Sequence, residues 1–309
     1  MKQSFQDVAS LWKADKRRWV KPSSYATYVM LIRKHLLPFF SGCADITAAM
    51  VQEYVDESLA AGLSVKTVSD SLVVLKMIMR YGEGLGAWPH CEYKVHYPSF
   101  AQKRQALQVL SGPDQKKLLL YLQENMSFRN LGLIICMNSG LRIGEVCGLQ
   151  WKDLDVASGV IHITKTVQRI YLSDDGLAEY GIHVGRPKTA SSIRDIPISS
   201  GLMKLVRPLR KLMPGEYFVV SNAPRPMEPR YLRDYFDRVL RHLGIQRVRF
   251  HALRHTFASR CIESKCDYKT VSVILGHSSL ATTMDLYVHP CLADKRRCIE
   301  KMTKGLGVG

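Results

Sequence analysis

The chain of 309 residues has no C-x-x-C pair, no long apolar run, no glycine-rich phosphate loop and no cluster of carboxylates. Each absence excludes a class of protein. The eight cysteines stand apart at 43, 91, 136, 147, 261, 266, 291 and 298. With the histidines they compose no zinc site. Several lie among apolar neighbours, as Cys136 does in Ile134-Ile135-Cys136-Met137, and read as small core hydrophobes. Reduced thiols and a cytoplasmic location are expected. The longest apolar run, around residues 131–137, is far too short to span a bilayer. The opening Met-Lys-Gln-Ser-Phe-Gln-Asp is polar and predicts no secretory leader, so no membrane partner is expected. Without a P-loop, ATP-driven chemistry is not indicated. Metal-dependent nucleases need grouped Asp and Glu to hold cations, and here Glu145 stands alone near the candidate residues. No metal and no other cofactor is expected.

Acidic residues are also scarce. Asp and Glu number 27 against 44 Lys and Arg, for a formal net charge of +17 and a pI of about 9.6. The imbalance is local. Residues 1–100 hold 12 basic and 9 acidic residues, and the remainder holds 32 and 18. A charge of +14 on the later part points to a polyanionic partner, most simply nucleic acid.

Hydrophobic content of 46% is enough for a sizeable core, and the length suits one large domain or two ordinary ones. Apolar spacing predicts four helices in residues 1–98, over about 4–18, 23–40, 45–61 and 64–81, making a small bundle. Residues 99–106 are polar and basic and read as a linker. A second domain is expected over 107–290. It opens with helices near 113–125, 127–138 and 142–149. Period-2 alternation then predicts a small antiparallel sheet within 151–197. Helices return over 199–212, 229–243, 250–263, 268–275 and 280–288, with a strand-like interlude at 217–220. Residues 291–309 form a C-terminal tail. The fold class expected is mainly α with a small antiparallel sheet.

The chemistry gathers around Phe250-His251-Ala252-Leu253-Arg254-His255-Thr256-Phe257. His251 and Arg254 are three apart, so on a helix they share a face. A cation and a titratable ring at a helix start make an anion site, because the unpaired N–H groups add to the field. An isolated H-x-x-R is commonly surface chemistry, so its company decides. Upstream stand Gly140-Leu141-Arg142-Ile143-Gly144-Glu145 and Arg186-Pro187-Lys188-Thr189. Downstream stand Leu275-Gly276-His277 and Leu286-Tyr287-Val288-His289. The ordered set is Arg142, Lys188, His251, Arg254, His277 and Tyr287. Two guanidiniums grip non-bridging phosphodiester oxygens as a metal would. A phenol is a poor nucleophile at its ordinary pKa and needs cations or a base beside it.

This ordered set resembles the tyrosine recombinase, or phage integrase, family. The resemblance covers roughly residues 107–290 by motif and residues 1–100 by layout. It implies an N-terminal helical core-binding domain and an α+β catalytic domain that clamp duplex DNA. It implies site-specific recombination without metal or ATP, through a 3′-phosphotyrosyl intermediate. Tyr287 would attack, Arg142 and Arg254 would clamp the phosphate, and Lys188 would protonate the leaving 5′ oxygen. His251 would assist proton transfer at the nucleophile, His277 would bond the phosphate, and Glu145 would support the site. His289 falls outside the family's catalytic set and reads as local structure. Lys188 fits the family's hairpin lysine better than Lys165 does. The implied partners are double-stranded DNA recombination sites, a homotetramer on DNA and accessory DNA-bending proteins. The implied role is integration or excision of a mobile element, such as a conjugative transposon or prophage. Chromosome-dimer resolution, inversion and a type IB topoisomerase-like activity are alternatives with the same chemistry. A non-enzymatic regulator using a helix-turn-helix at 268–288 is the rival class.

Overall fold

A computed structural model describes residues 3–98, 107–172, 179–187 and 189–287, together with residues 292, 296, 299, 300, 302 and 303. The expectations for the linker 99–106, for Lys188 and His289 and for most of the tail lie outside these residues. The chain divides into two compact units. One comprises residues 1–105 with 170–181, the other 106–169 with 182–309.

The first unit is helical. Its elements are α1 (Phe5–Lys16), α2 (Pro22–Leu31), a π turn at Ile32–Leu36, α3 (Leu37–Phe40), α4 (Ala48–Ala60) and α5 (Val65–Gly84). Side-chain oxygens cap three of the starts: Ser4 for α1, Thr47 for α4 and Ser64 for α5. The sequence predicts one unbroken helix over 23–40, and the structure interrupts it. Pro38 has no N–H and its ring crowds the carbonyl four residues back, so the preceding turn widens to the π spacing. Phe5, Phe40, Tyr54 and Trp88 gather at the centre of this unit.

The second unit begins with α6 (Gly112–Glu124), α7 (Phe128–Ser139) and α8 (Ile143–Gly148). Five strands follow along the chain: β1 (Leu154–Asp155), β2 (Val160–Ile163), β3 (Thr166–Leu172), β4 (Glu179–Gly185) and β5 (Arg194–Pro197), of which the parts of β3 and β4 within residues 170–181 fall in the first unit. Then come α9 (Ser200–Leu212), α10 (Pro229–His242), α11 (Ala252–Glu263), α12 (Tyr268–Leu275) and α13 (Leu280–Tyr287). The large core of this unit centres on Trp151, Leu118, Leu131, Ile135 and Phe236, all fully buried.

The strands form two small sheets where alternation alone suggests one. β1-β2-β5 is antiparallel, with Ile161 opposite Ile196 and Ile163 opposite Arg194; β3 pairs with β4 instead. The corner between β2 and β3 is pinned by Lys165, whose Nζ donates to Asp153 (2.6 Å) and Gln150 (2.9 Å). The strand-like stretch at 217–220 is not a strand. Phe218 makes isolated bridges to Gln150 and Ala223, because the chain turns back at Asn222. Val219 and Val220 bury themselves there as core plugs.

Candidate active site

The site is assembled from helix ends. α7 stops at Gly140, where φ is +64°. A Cβ there would lie 2.6 Å from Phe257, so the position needs glycine for both conformation and space. Two residues on, Arg142 stands at the N-cap of α8, and Glu145 occupies the first turn. The Glu145 carboxylate accepts from the Arg142 amide (2.9 Å) and from Arg142 Nη1 (2.8 Å). It also accepts from both terminal nitrogens of Arg194, each at 3.0 Å. Burial pushes the Glu145 pKa up, but hydrogen bonds and charge from Arg194, then the contacts of Arg142, outweigh it and leave it lowered. One buried carboxylate thus serves two guanidiniums, and the cluster keeps a net positive charge.

Arg194 is a residue the motif reading misses. Its Nε donates to the Ile274 carbonyl at 2.5 Å, and its Nη1 also reaches Ser192 O. The same helix end is held from the other side, because Arg142 Nη2 donates to Gly276 O at 3.0 Å. Gly276 has φ +66°, and a Cβ on it would meet Ser191 O at 2.8 Å. The two arginines therefore fix the turn that presents His277. The sequence does carry a signal for Arg194. β5 alternates buried and exposed, which puts Arg194 on the inner face with Ile196. An arginine on an apolar strand face requires a buried acceptor. Arg194→Ala is expected to lower stability by about 3–5 kcal/mol, as for removal of one partner of a buried ion pair. Thermal unfolding measures it. An unchanged midpoint would mean that Glu145 is satisfied without Arg194.

On α11 the side chains diverge in burial. Arg254 is 1% exposed, with Nη1 donating to Gly140 O at 3.0 Å. Among the described residues, its buried Nη2 has no hydrogen-bond partner. Burial, then the charge of Arg142, lowers its pKa to about 9, so it remains a cation at neutral pH. A buried, charged donor without an acceptor is costly, and it suits a site that is completed by an anion. His251 sits at the N-cap of the helix and keeps solvent access. His277 Nδ1 pairs with Thr283 Oγ1 at 2.8 Å. Desolvation first, and neighbouring positive groups second, hold both rings near pKa 4, so both are neutral at pH 7.

Tyr287 ends α13. It is 8% exposed and packs with Ala258, Val271 and Leu275. Its hydroxyl lies 2.6 Å from Nδ1 of His255. The resemblance gives His251 the proton-transfer role at the nucleophile; the ring hydrogen-bonded to the Tyr287 hydroxyl is that of His255. The ring of His251 stands edge-on to His255, with centroids 4.5 Å apart. Burial raises the Tyr287 pKa to about 12, against the opposing pull of Arg254 and Arg142. Arg142, Glu145, His251, Arg254, His277 and Tyr287 thus share one electrostatic neighbourhood.

A cleft of about 380 Å³ opens on this neighbourhood, lined by Arg142, Gln168, Pro187, Thr189 and His277 among others. Lys188 itself lies outside the described residues. Lys165 is committed to the β2–β3 corner. Among the described residues no group of three or more His, Cys, Asp or Glu could hold a metal ion, and no helix is long and apolar enough to cross a membrane.

Comparison with known proteins gives the context for this geometry. Residues 108–292 match the model of the phage integrase family, and residues 4–59 match its N-terminal SAM-like domain. A tyrosine recombinase XerC-like protein of Caldanaerobacter subterraneus subsp. tengcongensis is 26% identical over 278 residues, covering 83% of this chain and 71% of the relative. The ICEBs1 integrase of Bacillus subtilis is 26% identical over 306 residues, covering 93% and 79%. Among solved structures, the Tn1549 transposon integrase in complex with a circular intermediate DNA superposes with a TM-score of 0.77 at 21% identity, covering 97% of this chain and 99% of that one. A lambda integrase bound to DNA gives 0.64 at 15% identity, covering 90% and 94%. The mainly helical fold with small antiparallel sheets is that of these enzymes, and the chain belongs to the phage integrase family as a tyrosine-type site-specific recombinase.

Proposed function

We propose that this recombinase cuts and rejoins duplex DNA at specific sites through a 3′-phosphotyrosyl bond, integrating or excising a mobile element. The observation that carries the reading is the buried Arg254 guanidinium, whose Nη2 lacks an acceptor among the described residues, in the electrostatic neighbourhood of Arg142 and Tyr287. A phosphodiester supplies what that nitrogen lacks. Arg142 and Arg254 clamp the non-bridging oxygens, and Tyr287 attacks phosphorus. Glu145 holds Arg142 in place, and the neutral rings of His251 and His277 offer N–H donors to the phosphate. Lys188 protonates the leaving 5′ oxygen; its neighbours Pro187 and Thr189 line the cleft that Arg142 and His277 also line. The phosphotyrosyl ester stores the energy of the broken bond, so rejoining uses neither ATP nor metal.

Residues 1–98 serve as the core-binding domain and 107–290 as the catalytic domain, joined by the linker 99–106. The tail at 291–309 engages a neighbouring subunit of a homotetramer on DNA, in the cytoplasm, with accessory DNA-bending proteins as further partners. The mobile-element role is supported by the likeness to the ICEBs1 integrase, which spans nearly the whole chain.

Two duplexes carrying the joined ends of the element, taken from the DNA flanking the gene, test the reading. Incubated with the protein in chelator and without nucleotide, they should exchange strands. Binding without cleavage would favour the helix-turn-helix regulator; relaxation of supercoils without exchange would favour a topoisomerase. Affinity should also be steeply salt-dependent. Each phosphate neutralised by the basic residues contributes a slope of about −0.9 in a plot of log affinity against log salt. A flat response across a salt series would remove the nucleic-acid partner.

A further inference from the structure

We propose that His255, rather than His251, accepts the proton of the Tyr287 hydroxyl as the tyrosine attacks, and returns it when the strands rejoin. The inference rests on Tyr287 being the nucleophile and adds the group that activates it.

The geometry is direct. Nδ1 of His255 lies 2.6 Å from the Tyr287 oxygen, and among the described residues no other group is within hydrogen-bond distance of that oxygen. The two rings are held by packed helices: His255 is the fourth residue of α11, and Tyr287 closes α13. His251 stands edge-on to the His255 ring instead. It is one helical turn earlier on the same face.

The protonation states agree with the direction of transfer. Burial first, and the charge of Arg254 second, lower the His255 pKa from its ordinary value, so the ring is neutral at pH 7. A neutral ring that accepts at Nδ1 carries its proton on Nε2. The phenol then donates, and its hydrogen bond already points along the path of transfer. The charged and titratable groups around the pair are Arg254 and His251 on α11, Arg142 and Glu145 of α8, and His277 between α12 and α13. The cations among them oppose a charged His255 in the free protein. A bound phosphate offsets them, so the ring becomes a competent base when substrate is present.

The step balances. The Tyr287 oxygen forms a bond to phosphorus with its electron pair, and its proton passes to His255 Nδ1. The bond from phosphorus to the 5′ oxygen breaks, and that oxygen takes a proton from the acid assigned to Lys188. In rejoining, the 5′ hydroxyl attacks phosphorus, the phosphotyrosyl bond breaks, and the His255 imidazolium returns its proton to the departing phenolate. The ring is neutral again at the end.

The test uses the full chain, a nicked suicide duplex and single-turnover formation of the covalent adduct across pH. His255→Asn keeps an acceptor near the Nδ1 position and cannot take a proton. Its rate is expected to fall by about 10²–10⁴, the usual contribution of a positioned base, and to climb with pH where the wild type is level. Added imidazole should restore part of the rate in His255→Ala. A duplex whose scissile 5′ oxygen is replaced by sulfur needs no leaving-group proton; it should rescue an acid defect such as Lys188→Ala but leave His255→Asn slow. Thermal unfolding and DNA binding check that each variant is folded, and His255→Gln replaces Asn if that variant melts early. Wild-type rates in His255→Asn, rescue by the sulfur duplex, or a pH-independent loss with no response to imidazole would each overturn the proposal. Tyr287→Phe runs alongside. If that variant still forms the adduct, the assignment of the nucleophile has failed. If it is inactive while His255→Asn cuts normally, only the assignment of the base has failed.

Discussion

Tyr287→Phe should abolish the covalent protein–DNA adduct and leave the fold and DNA binding in place. The substitution removes one oxygen from a ring that is 8% exposed among Ala258, Val271 and Leu275. The ring's packing is therefore retained. The loss is one hydrogen bond, to His255 Nδ1, on a partly buried pair. Its cost to stability is about 0.5–1.5 kcal/mol. The cost to chemistry is complete if the missing oxygen is the nucleophile, since phenylalanine has nothing to attack with. A suicide duplex analysed on a denaturing gel should show a retarded covalent band for the wild type, in chelator and without nucleotide, and none for the variant. A band of equal strength in Tyr287→Phe would place the nucleophile elsewhere in the chain. The His255 bond makes a second readout available. In Tyr287→Phe the imidazole loses its partner, so its titration, followed by NMR, should shift while that of His277, bonded to Thr283, stays put.

Much of this arrangement is legible in the amino-acid sequence. The helices expected near 4–18, 45–61, 64–81, 113–125 and 127–138 are present, each started by a capping side-chain oxygen, of Ser4, Thr47, Ser64, Ser111 and Ser127. Gly140 and Gly276 are likewise visible as stops, and both have positive φ. Local pattern does not supply pairing over long separations. Nothing near Arg194 in sequence names Glu145 as its partner, 49 residues away. The contact of Lys165 with Asp153 at the corner between the two sheets is likewise a pairing that local pattern does not show. The choice between His251 and His255 as the neighbour of Tyr287 is a matter of helix rotation. Both histidines lie on one face of α11, and only the docking of α13 decides which ring meets the phenol. Pro38 is a different case. It stands in plain view, and its effect on the 23–40 helix follows from chemistry that a pure periodicity count leaves out.

Arg254→Lys and Arg254→Gln are expected to lower the rate of cleavage by about 10²–10³ or more, the scale for losing a preorganised charge donor at a reacting centre. Arg254 has two tasks that one guanidinium performs together. Nη1 closes on the Gly140 carbonyl, and Nη2 stays buried with no partner among the described residues. Lysine keeps the charge but offers a single point, so it either satisfies the carbonyl or faces the phosphate. Glutamine keeps a planar donor and loses the charge. The pair of variants therefore separates geometry from charge. If both fall equally, the fork of donors is what matters; if Lys retains more activity than Gln, charge dominates. DNA affinity should change far less than cleavage, because the remaining basic residues supply most of the salt-dependent binding. Glutamine removes the buried, unpaired charge, so its thermal midpoint should fall little or even rise, whereas lysine keeps a buried cation and gains no such relief. A large drop in the midpoint with cleavage unchanged would identify Arg254 as a structural cation holding α7 to α11, and the anion site would then have to be built on Arg142 alone.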